Sequence, residues 1–401
     1  MQPIMDNKEL DKIPAIFQLG FRIFFLSGAL FSVIALFLWG TMFFHGMSIQ
    51  PFGGSFCWHS HEMVFGFSTA IVTGFLLTAV QTWTGIPGVK GNRLSILFIL
   101  WLCARLLLLF PGNIHMAVIS TIDLLFLPLV ALALGYPILR IKQWRNLVFI
   151  PILLLLFLEN FISHYGLWTE NLAMTRYGTW SAVVTVIMLI SIMGGRVIPF
   201  FTARATGTEQ PTPIGWLELL ANIPLLLLVI YYLTGSPSFI SADIMVVSLA
   251  ITALAQLVRM SRWQFWLCAK EPLLWSLHGT FFFIPLGLIL LALHYAGFDV
   301  TASQAIHSFT VGSIGGLILA MISRVSLGHT GRKLQTMPGM GFAFMLMILA
   351  GLLRSPLAAF QIMSPYISLG LSFTFFILAY VIFLWRYIPI LTKRRIDGRP
   401  G

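Results

Sequence analysis

Residues 147–165, LVFIPILLLLFLENFISHY, carry a single formal charge, Glu159, in an otherwise apolar run. A helix that crosses the hydrocarbon core of a bilayer needs roughly 20 predominantly apolar residues, and this stretch meets that demand. Comparable runs recur near 16–39, 60–82, 94–110, 115–135, 177–199, 214–233, 242–260, 271–294, 302–323, 340–358 and 366–390. In hydrocarbon every backbone N–H and C=O must be paired internally, so long Leu-, Ile- and Phe-rich runs mean helices rather than a barrel. The whole composition agrees. The 401 residues are 58% hydrophobic and 9% charged, against about 25% charged in a soluble domain. Loops are short and marked by Gly and Pro, as in Pro51-Phe-Gly-Gly54, Pro111-Gly112 and Met337-Pro-Gly339. No linker is long or polar enough to set off a soluble domain. The sequence predicts an all-α polytopic membrane bundle of about twelve transmembrane helices, a single integral membrane domain over 1–401.

The net charge of +11 is a topology signal. Lys and Arg sit in the short even-numbered loops: Lys90 and Arg93, then Arg140, Lys142 and Arg145, then Arg196 and Arg204, Arg259, Arg262 and Lys270, then Arg324, Arg332 and Lys333. The chain closes on Lys393, Arg394, Arg395 and Arg399, while the odd-numbered loops are nearly bare, Arg176 and Arg354 excepted. This bias puts both termini in the cytoplasm. Nucleic acid is excluded as a partner; the lipid bilayer is the expected surroundings. The first twenty residues mix acids with lysines and lack a small-residue cleavage site, so the first helix is expected to stay in the mature protein. Cys57, Cys103 and Cys268 are scattered, with no CxxC pair, which argues against a disulfide framework or a zinc site.

Ionisable groups inside a membrane are costly, and each is a functional candidate. Of nine histidines, His45, His59, His61, His115, His164, His294 and His307 fall at or near outward helix ends, His278 lies deeper in the ninth span, and His329 falls in a cytoplasmic loop; His45, His115, His164 and His294 are read as interfacial bystanders, which leaves His59, His61, His307 and His278 as the informative set. The densest segment is Cys57-Trp-His59-Ser-His61-Glu62-Met-Val-Phe-Gly66. His59 and His61 point to nearly opposite sides of a helix, so both serve one site only if His59 precedes the helix proper. His59 and Glu62 share a face, which would let Glu62 accept from an imidazole N–H and fix its tautomer; Glu62 also suits a helix N-terminus for dipole reasons. Past His307, Thr310, Gly312, Ser313, Gly315 and Gly316 would let a neighbouring helix or a flat ligand approach the backbone. Imidazoles converging in an apolar cavity suit haem iron or copper, and no CxxCH motif is present, so any haem would be non-covalent. Arg105 sits inside the third span, and Asp123, Glu159 and Asp243 make only a thin carboxylate relay.

Four segments give the chain a likeness. They are Trp58-His-Ser-His-Glu-Met-Val-Phe-Gly66 running on through Gly74 to Thr82-Trp-Thr-Gly85; Gly194-Gly-Arg-Val-Ile-Pro-Phe-Phe-Thr202; Leu277-His-Gly279; and His307-Ser-Phe-Thr-Val-Gly-Ser-Ile-Gly315 through Arg324 to Gly328-His-Thr-Gly-Arg332. With these motifs the sequence resembles the NnrS family of haem- and copper-containing membrane proteins, with Gln81 as a departure in the turn before Gly85. The resemblance implies a bacterial inner-membrane protein of nitric oxide metabolism and nitrosative-stress defence, associated with denitrification. Its cofactors would be haem b and, as a further candidate, copper. Matching by position, His59, His61, His278 and His307 become the expected metal and haem ligands. Arg196, Arg324, His329 and Arg332 match as well, and would bind haem propionates or a second, inner site, or else anchor helix ends.

NO is small, neutral and concentrates in lipid, so a haem iron with an open position reached through the bilayer is physically reasonable. Its reduction would be oxidoreductase chemistry needing protons, with Glu62 as a candidate relay, and an electron donor that the sequence does not identify. Haem–copper oxidases carry an adjacent His-His pair, which is missing here. Two other readings stand beside this one: a secondary transporter of a small molecule, which the twelve-span plan also suits, and a non-catalytic NO or metal sensor.

Overall fold

The computed structural model describes residues 12–398, and among these the regular structure is helical, with no strand. Twelve helices are long and apolar enough to cross a bilayer: α1 Gly20–His45, α2 Gly54–Thr84, α3 Gly91–Leu109, α4 Met116–Arg140, α5 Trp144–Trp168, α6 Leu172–Thr206, α7 Gly215–Leu233, α8 Ala242–Ser261, α9 Pro272–Tyr295, α10 Ala302–His329, α11 Met340–Ala359 and α12 Pro365–Thr392. Each of the twelve apolar runs has its helix; the ends differ. α2 begins at Gly54 rather than at residue 60, because Gly53 and Gly54 take positive φ and turn the chain just before it. His59 is therefore inside the helix, not ahead of it. α10 runs on through His329, which is the last residue of the helix and not part of a loop.

The helices gather into two compact units. The first holds α1–α5, the start of α6 and the ends of α10 and α12. Its α1 and α2 meet through glycines: a Cβ at Gly74 would lie 2.9 Å from Phe24 Cβ, and one at Gly20 would lie 3.0 Å from Leu77 Cβ. Small residues at such contacts let backbones approach closely and gain dispersion energy where lipid offers no hydrophobic drive. The orphan amide of Phe21, in the first turn of α1, donates to Thr78 Oγ1 at 2.9 Å. Arg22 Nη1 donates to Leu391 O and Lys393 O at 3.0 and 2.6 Å. The beginning of α1 and the end of α12 thus lie at the same end of this unit.

The second unit holds the rest of α6, then α7–α9, most of α10, α11 and most of α12. Its polar staple is Arg259 on α8, 1% exposed, which donates to both Glu218 oxygens of α7 at 3.0 and 2.8 Å and to Ser191 Oγ of α6 at 2.9 Å. The small residues of α10 serve helix packing. A Cβ at Gly312 would lie 2.2 Å from the Phe283 ring of α9, and one at Gly316 would lie 2.3 Å from Thr280 Cγ2. Of the two uses expected for that stripe, close approach by a neighbouring helix is the one observed.

Overpacking a tight contact typically costs about 1–3 kcal/mol. Gly312→Ala and Gly316→Ala are therefore expected to lower the melting midpoint of the detergent-purified protein. Gly370→Ala, where a Cβ would meet nothing within 4 Å, is expected to leave it within error.

Candidate metal centre

A helix that keeps its i→i−4 ladder would present His61 and Glu62 on separated faces. The ladder is broken here. From Glu62 to Ser68 the chain makes a π-helical turn, a local widening that is frequent at functional sites. The wide turn is held from outside: Trp101 Nε1 of α3 donates to Gly66 O at 2.9 Å. Gly66 itself has no room for a side chain, since a Cβ would lie 2.8 Å from Arg105 Nη1 and 3.0 Å from Glu62 Oε2. The sequence therefore brings a guanidinium from α3 against the backbone of α2.

Arg105 organises the polar cluster beside that turn. Nη1 donates to Glu62 Oε1 at 2.9 Å, and Nη2 forms an ion pair with Asp123 Oδ1 on α4. Asp123 Oδ2 is shared by three groups: Asn160 Nδ2 at 2.7 Å, His164 Nε2 at 3.0 Å and His61 Nε2 at 3.2 Å. His61 Nδ1 meets Glu62 Oε1 at 2.9 Å, and its Nε2 also meets Asn160 Oδ1 at 2.9 Å. His164 Nδ1 lies 3.0 Å from Ser120 Oγ, which in turn accepts from Trp168 Nε1 at 3.2 Å. All these side chains except that of Trp168 are buried, Glu62 and Ser120 completely.

One ring nitrogen from His61, one from His164 and one oxygen of Asp123 lie within 4.8 Å of one another. Two imidazoles and a carboxylate are a donor set that suits a first-row transition metal. The surroundings fit as well. A ligating histidine normally donates its other ring N–H to an acceptor, which fixes the tautomer and raises ligand basicity. Glu62 Oε1 supplies that acceptor to His61, and Ser120 Oγ can accept from His164 Nδ1 while still accepting from Trp168. Two buried atoms of the cluster have no hydrogen-bond partner, Glu62 Oε2 and Arg105 Nε. Unsatisfied polar atoms in an otherwise saturated buried network call for an explanation, such as a bound ion, a water or a catalytic role.

Depth follows from helix position. His61 and Asp123 each sit eight residues into their helices, and Arg105 and His164 lie near the ends of theirs. The centre is thus about 10 Å, at 1.5 Å per residue, inside the end of this unit opposite the one where α1 begins.

The other residues singled out in the sequence each have local partners of their own. His59 stacks on Trp39 of α1, ring centroids 4.3 Å apart, and it is His61, not His59, that engages Glu62. His278 belongs to the second unit, where its Nε2 meets Thr202 Oγ1 at 3.0 Å; its Nδ1 is buried without a partner. His307 is also in that unit, with Nδ1 donating to Ser303 O at 2.6 Å. Arg196 is half-buried on α6, and Arg324 is 6% exposed on α10. His329 and Arg332 are in the first unit, near Arg395 and Arg22. His164 is not the interfacial bystander that its helix-end position suggested: it is 1% exposed, and its Nε2 meets Asp123 Oδ2 within the centre. Asn160 escaped sequence reading altogether. Its spacing of four from His164 places both on one face of α5, a pattern that would have found it once Asp123 was suspected.

A family model described as NnrS protein matches residues 15–395, nearly the whole chain. No curated protein matches it.

Removing one partner of a buried ion pair leaves an uncompensated charge, typically at a cost of about 3–5 kcal/mol. Arg105→Met strands both Glu62 and Asp123, and it is expected to depress the melting midpoint strongly. Adding Asp123→Asn to Arg105→Met is expected to recover part of that loss, a coupling that a double-mutant cycle reads directly.

Proposed function

The chain belongs to the NnrS family, and from that premise we propose that it is a nitric oxide-handling protein of the bacterial inner membrane whose His61, Asp123 and His164 hold a metal ion. The single observation that carries this reading is the convergence of those three donors, all buried, with the remote nitrogen of each imidazole already provided with an acceptor. A bound transition metal would supply a Lewis-acidic or redox-active position for NO. Asn160 would orient Asp123, donating from Nδ2 to Oδ2. Glu62 would hold the tautomer of His61 through Oε1, and its buried, unpartnered Oε2 is where a relayed proton would rest. Reduction of NO would also require an electron donor.

A bare ion fits this centre; a porphyrin does not. The Nε2 atoms of His61 and His164 both lie within hydrogen-bonding distance of one Asp123 oxygen, so no flat macrocycle passes between them. A haem would be held elsewhere, and His278, whose buried Nδ1 has no hydrogen-bond partner among the described residues while Nε2 meets Thr202 Oγ1, could hold it. Copper, which the family resemblance implies, is a candidate for the first centre, since imidazole and carboxylate accept it. The positive charge of the even-numbered loops supports cytoplasmic termini. That orientation sets the first centre in the outer half of the membrane.

A chain of hydrogen-bonded ionisable groups in spanning helices also suits proton-coupled transport, which is the second reading. Metal analysis and the visible spectrum of the detergent-purified protein separate the two. Stoichiometric metal is expected in the wild type and in His45→Ala, and it is expected to be lost from His61→Ala and His164→Ala. A haem band, where present, is expected to disappear in His278→Ala and to survive in His61→Ala. Metal-free, colourless wild-type protein would overturn the metal reading and leave transport.

A further inference from the structure

The first turn of α1 buries a guanidinium that the described residues of the first unit satisfy only in part. Arg22 is 0% exposed. Its Nη1 serves the last carbonyls of α12, Leu391 O at 3.0 Å and Lys393 O at 2.6 Å, which that helix leaves without amide donors. Its Nε and Nη2 are buried with no hydrogen-bond partner. These two nitrogens form the side-on edge of the guanidinium, whose spacing matches two oxygens of one phosphate or carboxylate.

The charge around that edge is positive. Arg332 and Arg395 stand close enough for their charges to act on Arg22. Arg395 is already committed, its Nε and Nη2 donating to the two Asp397 oxygens at 2.9 and 2.6 Å. The same carboxylate lies where a Cβ of Gly331 would be, 2.7 Å from it, and Gly331 takes φ +75. That packing fixes the turn from which Arg332 projects, and Arg332 N donates to Leu327 O at 3.0 Å. Arg332 makes one weak side-chain contact, Nη1 to Thr330 O at 3.5 Å. Two guanidiniums, Arg22 and Arg332, therefore remain uncompensated among the described residues. Phe21 forms a wall, with the Arg22 guanidinium carbon 5.3 Å from its ring centroid and the His329 ring 5.5 Å away.

We propose that Arg22 and Arg332 form an oxyanion site that takes a phosphate group, from an anionic lipid headgroup or from free phosphate. The site lies at an end of α1 and α10, the level at which a spanning helix meets headgroups. It is independent of the metal centre, with which it shares no residue. Burial of the two Arg22 donors makes the site selective for a group that can accept from both at once, and the second guanidinium selects for net negative charge.

Binding to the native state alone raises the melting midpoint with ligand concentration. Delipidated protein in neutral detergent would be titrated with phosphatidylglycerol, with phosphatidylcholine of the same chains, and with inorganic phosphate. A rise of a few degrees with phosphatidylglycerol or with inorganic phosphate, but not with phosphatidylcholine, is expected. Response to the lipid alone assigns the headgroup, and response to inorganic phosphate assigns the free anion. Arg332→Gln is expected to weaken half-saturation about tenfold, the scale of one charge-assisted hydrogen bond, and Arg93→Gln to leave it unchanged. Arg22→Lys, which keeps the charge and removes the fork, is expected to abolish the response; if that variant does not fold, Arg332→Gln decides. An equal response in Arg332→Gln and wild type, or no response to either anion, would overturn the proposal.

Discussion

A single guanidinium shared by two carboxylates in a medium that cannot screen them is the constraint from which the first unit is organised. Arg105 reaches Glu62 on α2 and Asp123 on α4, and around that pairing α5 delivers Asn160 and His164. Taking charges out of water costs several kcal/mol per ion, and the loss is offset only where geometry and further hydrogen bonds complete the set. In formal charge the cluster sets two carboxylates against one arginine, a balance that a bound cation would complete. Both nitrogens of His61 face oxygens.

Hydropathy made the twelve spans and their number readable, because every helix exposed to lipid must be apolar over its crossing length. Helix ends were less readable. Two consecutive glycines with positive φ move the start of α2 upstream of its apolar run, and a positive φ leaves no mark in a hydropathy pattern. The site was legible in its charges, since Arg105 and Asp123 stand out against their apolar spans. Its membership was not. The π-helical turn over Glu62–Ser68 changes the register after His61, so face assignments made on a regular helix paired Glu62 with the wrong histidine. His164 and Asn160 lie near a helix end where polar residues are common, and only their contacts with Asp123 distinguish them.

The two sites of the first unit obey one rule at opposite ends. Polar groups inside a membrane persist where something pays for them, and in each place the protein supplies all but the last partner. At the proposed metal centre two carboxylates face one arginine, and Asp123 and the imidazoles would present that excess to a cation. Beside Arg22 the surplus is positive, and the side-on edge of the guanidinium presents it to an oxyanion. Elsewhere the same problem is closed internally, as at Arg259, where Glu218, Ser191 and Gln256 leave no donor over.

X-ray absorption at the metal edge of the purified protein reads the centre most directly. A first shell of nitrogen and oxygen carrying two imidazole contributions, reduced to one in His164→Ala, is the result expected of an ion held by His61, Asp123 and His164. A sulfur-containing shell, or an imidazole count that His164→Ala leaves unchanged, would contradict it.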